Sequence, residues 1–293
     1  LEFETTFNGS TTVDRYIFAA SGDSRINLWS RAYEIAHTEL RRALRLPESV
    51  REIFLQWPPF SRKGFRETAQ ECAAITAQEG FTGASIDVVW DNADFHDGAK
   101  NMNVWDYAVC EGYGGEAGLK ALMDECKRNN LRVVAWLPAG HLTSKSPVWE
   151  NHPDWILLNQ RGEKFVNPSG GIWHGALDTG FRDYFRDRVV DVVRRFGLDG
   201  LWVDTHLSYA QQIRPLDHAV KLAGLYRDFI NAGARILLVE GDASALGSYA
   251  IGIDDDWQKE WGEVLDPDLY YGAVLSAGSM NPRFYLDHFR RYV

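Results

Sequence analysis

From about residue 50 onward, the sequence repeats one pattern, in which a short and continuously apolar run precedes an amphipathic helical pattern. Strands that are apolar along their whole length and alternate with helices predict a parallel sheet covered by helices. The predicted strands are EIFLQW (Glu52 to Trp57), ASIDVVW (Ala84 to Trp90), LRVVAWL (Leu131 to Leu137), LDGLWVD (Leu198 to Asp204), RILLVE (Arg235 to Glu240) and two short runs near Tyr249 to Ile253 and Leu269 to Ser276.

Two folds contain such an alternation, the doubly wound sheet and the (β/α)8 TIM-type barrel. No Gly-x-Gly-x-x-Gly pattern follows any predicted strand, which removes the best evidence for a dinucleotide-binding sheet. Long segments follow the second and third strands and favour a barrel with an elaborated C-terminal face. We therefore predict an α/β fold, a (β/α)8 TIM-type barrel over residues 51–293. At most seven strands precede Val293, so the eighth is absent, two strands have been merged, or the chain is a fragment of a longer protein.

Residues 1–50 do not follow the alternation. The run TVDRYIFAA is typical of a strand, and INLWSRAYEIAHTELRRAL is typical of a helix that leads into the barrel. We interpret this part as an N-terminal extension, or the remnant of a β-rich domain followed by a linker helix.

Charge and composition limit the partners of this chain. Of its 293 residues, 41 are acidic and 31 basic, and a net charge of -10 repels the phosphate backbone of nucleic acids. No apolar run reaches transmembrane length, so we expect a soluble protein, cytoplasmic or secreted with its signal removed. The 11 Trp residues suit either a cleft that stacks on sugar rings or a Trp-rich core.

Cysteine chemistry and cofactors are not indicated by the sequence. Cys72, Cys110 and Cys126 are odd in number and lack the spacing of a metal site. They predict neither a disulfide framework nor a zinc site, and we expect no cofactor.

Acidic residues and one histidine follow several of the predicted strands, namely Asp91, His141, Asp204, Glu240, Asp242 and the run Asp254 to Asp256. In a barrel these residues would meet at one mouth, where crowded carboxylates repel one another. Hydrolysis of a glycoside needs a pair of carboxylates in such a place. A divalent metal site is the competing use, but no His-x-His or His-Glu-x-x-His spacing occurs, so it ranks second.

Two stretches resemble the melibiase-type α-galactosidases, glycoside hydrolase family 36. GLKALMDECKRNNLRVVAWLPAGHLTSKSPVWENHPDWIL is similar to a helix, strand and loop of that family that end in Ser and then His-Pro-Asp-Trp, here Ser146 and His152 to Trp155. LDTGFRDYFRDRVVDVVRRFGLDGLWVD is similar to the segment that delivers the family's nucleophile on its fourth strand. The resemblance covers roughly Glu52 to Val293 and is strongest between Gly118 and Asp204.

This resemblance implies a hydrolase of carbohydrate metabolism, a retaining glycosidase that acts on α-linked sugars with Asp204 as its nucleophile. The family usually ends this strand in Lys-Trp-Asp, whereas Trp202-Val203-Asp204 is closer to family 31, a relative with the same mechanism. The missing lysine leaves the sugar open. The alternative role for Asp204 is to cap the next helix or to pair with Arg214.

The acid/base is expected after the sixth strand, in IDDDW, where Asp255 is the first choice and Asp254 the second. Adjacent carboxylates should raise at least one pKa, as a general acid requires, although a solvated acidic loop has the same composition. Glu240 is the rival, because α-amylase-like families place their acid after strand five. The candidates for substrate binding are Asp91, Trp90, Trp136, His141, Trp202, His206 and Asp242, among which Trp90 and Trp136 are equally consistent with the core and His206 with a structural role.

The expected partner is an oligosaccharide or glycoside. Two other functions remain open at this point. One is a barrel that binds carbohydrate without catalysis, and the other is a metal-dependent sugar isomerase or epimerase.

Overall fold

The structure is a computed structural model that describes residues 52–57, 64–78, 81–97, 103–138, 140–159, 161–166, 171–204, 215–239, 248–252 and 272–276. The predicted N-terminal extension lies outside the described residues.

Seven parallel strands form the centre of the described chain. They are β1 (Glu52–Trp57), β2 (Gly83–Ile86), β5 (Arg132–Pro138), β8 (Gly200–Asp204), β9 (Ile236–Val239), β10 (Ser248–Gly252) and β11 (Gly272–Ser276). Their hydrogen-bonded order is β1-β2-β5-β8-β9-β10-β11, and β11 pairs with β1, so the seven strands close on themselves. The α/β class and the parallel sheet are confirmed, while the eighth strand of a (β/α)8 barrel stays a prediction.

Helices follow the barrel strands as the alternation predicts. They are α1 (Phe65–Gln78), α2 (Gly115–Arg128), the short α3 (Pro147–Asn151), α4 (Phe181–Phe196) and α5 (Pro215–Ala232). Helix α4 is amphipathic, because its buried side chains recur at helical spacing. They are Phe181, Phe185, Val189, Val192 and Val193. Gly197 ends this helix at φ +68°, a left-handed conformation that glycine adopts without steric cost.

Two antiparallel hairpins extend from the strand ends that the sequence assigned to long loops. Strands β3 (Trp90–Asn92) and β4 (Val104–Val109) follow β2, and strands β6 (His141–Thr143) and β7 (Ile172–His174) follow β5. The sequence prediction of one strand from Ala84 to Trp90 is therefore wrong, because β2 ends at Ile86. The Val-Val pair after Asp87 favours a strand by propensity, but the chain turns there and its apolar side chains enter the core.

Two apolar clusters hold these elements together. The larger lies between the sheet and the helices and includes Leu119, Phe185 and Phe229. The smaller, which we call the barrel floor, consists of Phe54, Val134, Trp202 and Ile236 with Trp136 packed against it. The barrel floor brings together side chains from β1, β5, β8 and β9.

The close approach of β8 to β9 gives a test of the barrel. A Cβ at Gly200 would lie 2.1 Å from the carbonyl oxygen of Ile236, a backbone atom that cannot move without breaking the strand pair. We expect Gly200→Ala to lower the free energy of unfolding by about 3 kcal/mol or more. Chemical denaturation monitored by circular dichroism measures this change.

Gly224→Ala is the matched control. Gly224 lies inside α5, and its added Cβ would approach only the far end of the Arg182 side chain, at 3.3 Å. Since alanine favours a helix over glycine by about 1 kcal/mol, this variant should be as stable as the parent or more so. A Gly200→Ala protein as stable as Gly224→Ala would contradict the described pairing of β8 with β9.

Candidate active site

The carboxyl ends of β5 and β8 lie side by side. Asp204 is the last residue of β8, and its Cα is paired with that of Pro138, the last residue of β5. Catalytic groups of such barrels lie at this end of the strands. The backbone thus places the predicted nucleophile at the end of its strand, directly beside the end of its neighbour.

The barrel floor lies directly before the carboxyl ends of these strands. Trp202 precedes Asp204 by two residues, pairs with Trp136 and is 5% exposed. Its indole Nε1 is buried and has no hydrogen-bond partner among the described residues. Trp136 is partly buried and packs against both apolar clusters. Trp136 and Trp202 are therefore neighbours in the barrel floor, and the indole N–H of Trp202 is a donor without a partner among the described residues.

Asp87 is a strand-end carboxylate that the sequence analysis missed. It follows Ile86 directly at the end of β2 and is 5% exposed. A carboxylate is seldom buried to this degree without a role, since desolvation of its charge costs free energy. The signal was present in ASIDVVW, where Asp87 interrupts an apolar run as Asp204 does, but the predicted strand ran past it to Trp90.

Asp91, the carboxylate that was predicted instead, lies in the β3–β4 hairpin. Its carboxylate bonds the ring Nε2 of His96 at 2.7 Å and accepts the backbone N–H of Asn92 at 3.0 Å. The His96 ring stacks on Trp105 with 4.5 Å between the ring centroids. Asp91 therefore belongs to a hairpin cluster with its own partners, rather than to the end of a barrel strand.

Trp90 is 1% exposed, a placement that favours its core alternative. Its indole N–H donates to the carbonyl oxygen of Trp136 at 2.5 Å, and its ring packs edge-to-face on Tyr107. The ring contributes packing and a hydrogen bond to β5.

Tyr107 is a second residue that the sequence analysis missed. It is fully buried in β4, and its hydroxyl lies within hydrogen-bond distance of four backbone groups in residues 138–141. Burial raises the pKa of Tyr107 well above its usual value, so the hydroxyl remains a donor. No sequence pattern marks such a contact, because Tyr107 and Pro138 meet only in the folded chain.

His141 begins β6, directly after this turn, and is 6% exposed. It pairs with His174 on β7, and the two rings lie 5.3 Å apart between centroids. The structure thus places His141 close to the end of β5, as predicted, but within a buried histidine pair.

The remaining predicted site residues, Glu240, Asp242, Asp254, Asp255 and His206, lie outside the described residues. The structure shows how the neighbouring strands β9, β10 and β11 pair, but these five residues lie in the segments between the described elements.

Two observations on the described residues concern metal and thiol chemistry. Among these residues, no group of three or more His, Cys, Asp or Glu side chains is placed to hold a metal ion. Cys72, Cys110 and Cys126 are buried free thiols. Burial raises the pKa of Cys110 to about 11, so this thiol is protonated near neutral pH and a poor nucleophile.

None of the described helices combines the length and apolar character that a membrane crossing requires.

Residues 83–224 match the family model described as "Glycosyl hydrolase-like 10". This segment runs from β2 into α5 and contains both Asp87 and Asp204. The match is to a glycosyl hydrolase-like family, which is the class that the sequence predicts. A search of curated proteins finds no match.

Solved structures share the fold at low identity. The chain resembles a noncanonic maltogenic α-amylase from Thermotoga neapolitana at 14% identity and a TM-score of 0.53, covering 68% of this chain and 48% of that one. An α-galactosidase from Thermus thermophilus in complex with stachyose matches at 18% identity and 0.53, covering 83% and 52%. Amy13B of Eubacterium rectale matches at 13% and 0.51, covering 67% and 45%.

The chain thus spans about half the length of the structures it matches. The likenesses show a fold that this chain shares with an α-amylase and an α-galactosidase, and the family match supports the coarser, glycosyl hydrolase-like part of the sequence prediction. Membership of glycoside hydrolase family 36 stays a prediction.

Proposed function

We propose that this protein is a retaining glycoside hydrolase that acts on α-linked sugars of oligosaccharides or glycosides. The observation that carries the proposal is the position of Asp204, the last residue of a barrel strand within the glycosyl hydrolase-like segment. A carboxylate at the C-terminal end of a buried strand has the setting that catalytic groups of such barrels need.

The proposed reaction uses two carboxylates in two displacements. An oxygen of Asp204 attacks the anomeric carbon, and a glycosyl ester forms as the bond to the leaving oxygen breaks. The general acid, Asp255 in our first assignment, gives its proton to that oxygen. As a base, the same group then takes a proton from water, which attacks the anomeric carbon and releases both the sugar and Asp204.

Asp254 and Glu240 are the other candidates for the acid. Of the predicted substrate contacts, His206 and Asp242 are proposed to bind sugar hydroxyls. Trp202 supports substrate binding from the barrel floor, since its buried indole N–H has no partner among the described residues.

Turnover of aryl α- and β-glycosides, with and without a chelator, tests the proposal against its alternatives. We expect turnover of one α-glycoside, with α-galactosides tried first, and no effect of the chelator. Glycoside turnover that is lost on chelation would refute the metal-free double displacement. Binding of sugars without turnover of any glycoside would favour a non-catalytic carbohydrate-binding barrel, unless the protein interconverts a free sugar in a chelator-sensitive reaction, as a metal-dependent isomerase or epimerase would.

Asp87 is proposed to hold a hydroxyl of the sugar whose bond is cleaved, because it directly follows β2, the strand next to β5, and is 5% exposed. A hydrogen bond to a charged group contributes about 1.5–3 kcal/mol, so Asp87→Asn should lower kcat/KM about 10- to 150-fold. Asp91→Asn is the informative comparison, and we expect a smaller loss because Asp91 bonds His96. Steady-state kinetics of both variants decide the point, and a larger loss in Asp91→Asn would overturn the assignment to Asp87.

A further inference from the structure

The end of β5 is paired on one side only. Its pairing with β2 stops at Ala135, opposite Ile86, whereas its pairing with β8 continues to Pro138, opposite Asp204. Among the described residues, the last three of this strand, Trp136 to Pro138, therefore have a strand on the β8 side and none on the other. Backbone groups left without a partner inside a protein cost free energy, so something must replace the missing strand.

Side chains of the β3–β4 hairpin take the place of that strand. Trp90 donates its indole N–H to the carbonyl oxygen of Trp136, and Tyr107 donates its hydroxyl to that of Pro138, each at 2.5 Å. Carbonyls two residues apart face the same side of a strand. The two donors also pack on each other edge-to-face, with 5.8 Å between ring centroids. They form one unit that continues the sheet where β2 stops.

The hydroxyl of Tyr107 also organises the turn that follows. It accepts the backbone N–H of Gly140 at 3.1 Å and that of His141 at 3.0 Å. One proton and two lone pairs thus satisfy a carbonyl and two amides together. Gly140 has φ +80°, so this turn has a conformation that other residues rarely adopt.

Contacts with helix α4 hold Tyr107 and its neighbour Asp106 in place. It packs edge-to-face on Phe185 of α4, with 4.6 Å between centroids. Its neighbour Asp106 accepts the hydroxyl of Tyr184 from the same helix and lies 3.3 Å from the guanidinium of Arg188. Because the strand carrying Tyr107 is tied to α4, the position of its hydroxyl is set by the core rather than by the turn it holds.

We infer that Tyr107 is a positioning residue of the proposed glycosidase, which holds the end of β5 and thereby the neighbouring end of β8 with Asp204. The inference rests on the proposed function. The hydroxyl lies too deep to touch substrate, and acts through Pro138, whose backbone is the direct neighbour of Asp204.

Tyr107→Phe tests this role because it removes the hydroxyl and keeps the ring. Tyr226→Phe is the matched control, since Tyr226 is equally buried in α5 and its hydroxyl has no hydrogen-bond partner among the described residues. We expect Tyr107→Phe to lower kcat about 100-fold with KM changed less than threefold, as a misplaced nucleophile would. Tyr226→Phe should keep the parent kcat. Each kcat is normalised to the number of sites labelled by an activated fluoro-glycoside, so partial unfolding does not count as loss of rate.

Amide hydrogen exchange provides the second readout, which does not depend on activity. The amides of Gly140 and His141 should exchange faster in Tyr107→Phe than in the parent and in Tyr226→Phe. A parent protein that turns over no glycoside would refute the proposed function, and the exchange result would still report on the turn. An active parent whose Tyr107→Phe variant exchanges faster yet keeps its kcat within twofold would overturn the positioning role, as would unchanged exchange.

Discussion

Asp204→Asn is expected to fold like the parent and to lose activity by a factor of about 10⁴ or more, the loss seen when a member of a catalytic constellation is removed. The amide of asparagine has nearly the shape of the carboxylate but neither its charge nor its nucleophilicity. It cannot form the glycosyl ester or balance the positive charge that develops at the anomeric carbon. The measurement is kcat on the best aryl α-glycoside.

Asp199→Asn is the control for this variant. Asp199 precedes the other end of the same strand, where its carboxylate accepts the backbone N–H of Val133 at 2.8 Å. An asparagine keeps an oxygen acceptor there, and the N-terminal face of a barrel serves stability rather than catalysis. We expect Asp199→Asn to retain the parent kcat. A large loss in Asp199→Asn, or full activity in Asp204→Asn, would contradict the assignment of the nucleophile.

Asp255→Ala is expected to separate substrates by their leaving groups. An oligosaccharide needs a proton on its leaving oxygen, whereas a nitrophenolate departs without one. Turnover of the oligosaccharide should therefore fall about 10²- to 10⁴-fold, while formation of the glycosyl-enzyme from a nitrophenyl α-glycoside is largely spared. Added azide should restore the second step, because it attacks without the help of a base.

Glu240→Ala is the matched comparison for Asp255→Ala. If Glu240 instead has only a binding role, both substrates should suffer alike. If Glu240→Ala shows the leaving-group pattern and Asp255→Ala does not, the acid is the residue that follows β9, and the assignment beyond Asp204 is wrong.

The sequence predicted those parts of the fold that depend on local pattern. The apolar run from Glu52 to Trp57 is β1, and the apolar stripe before Gly197 is α4, because period and capping are properties of neighbouring residues. It also predicted Asp204 at the end of a strand, since a single carboxylate ended an apolar run.

What the sequence could not predict depends on distant contacts. The end of β2 at Ile86 follows from the way the β3–β4 hairpin replaces it beside β5, through residues 46 and 31 positions apart in the chain. The role of Trp90 was ambiguous for this reason. Asp87 was missed because the predicted strand ran past it to Trp90. Propensity favoured a longer strand, and tertiary packing shortened it.

Mass spectrometry of the protein after reaction with an activated fluoro-α-glycoside identifies the nucleophile. We expect one fluoroglycosyl group per chain, located on the peptide that contains Asp204, and no label in Asp204→Asn. Turnover of the α-glycoside with the label on a different carboxylate, or with no covalent label at all, would contradict the claim that Asp204 is the nucleophile of a retaining glycosidase.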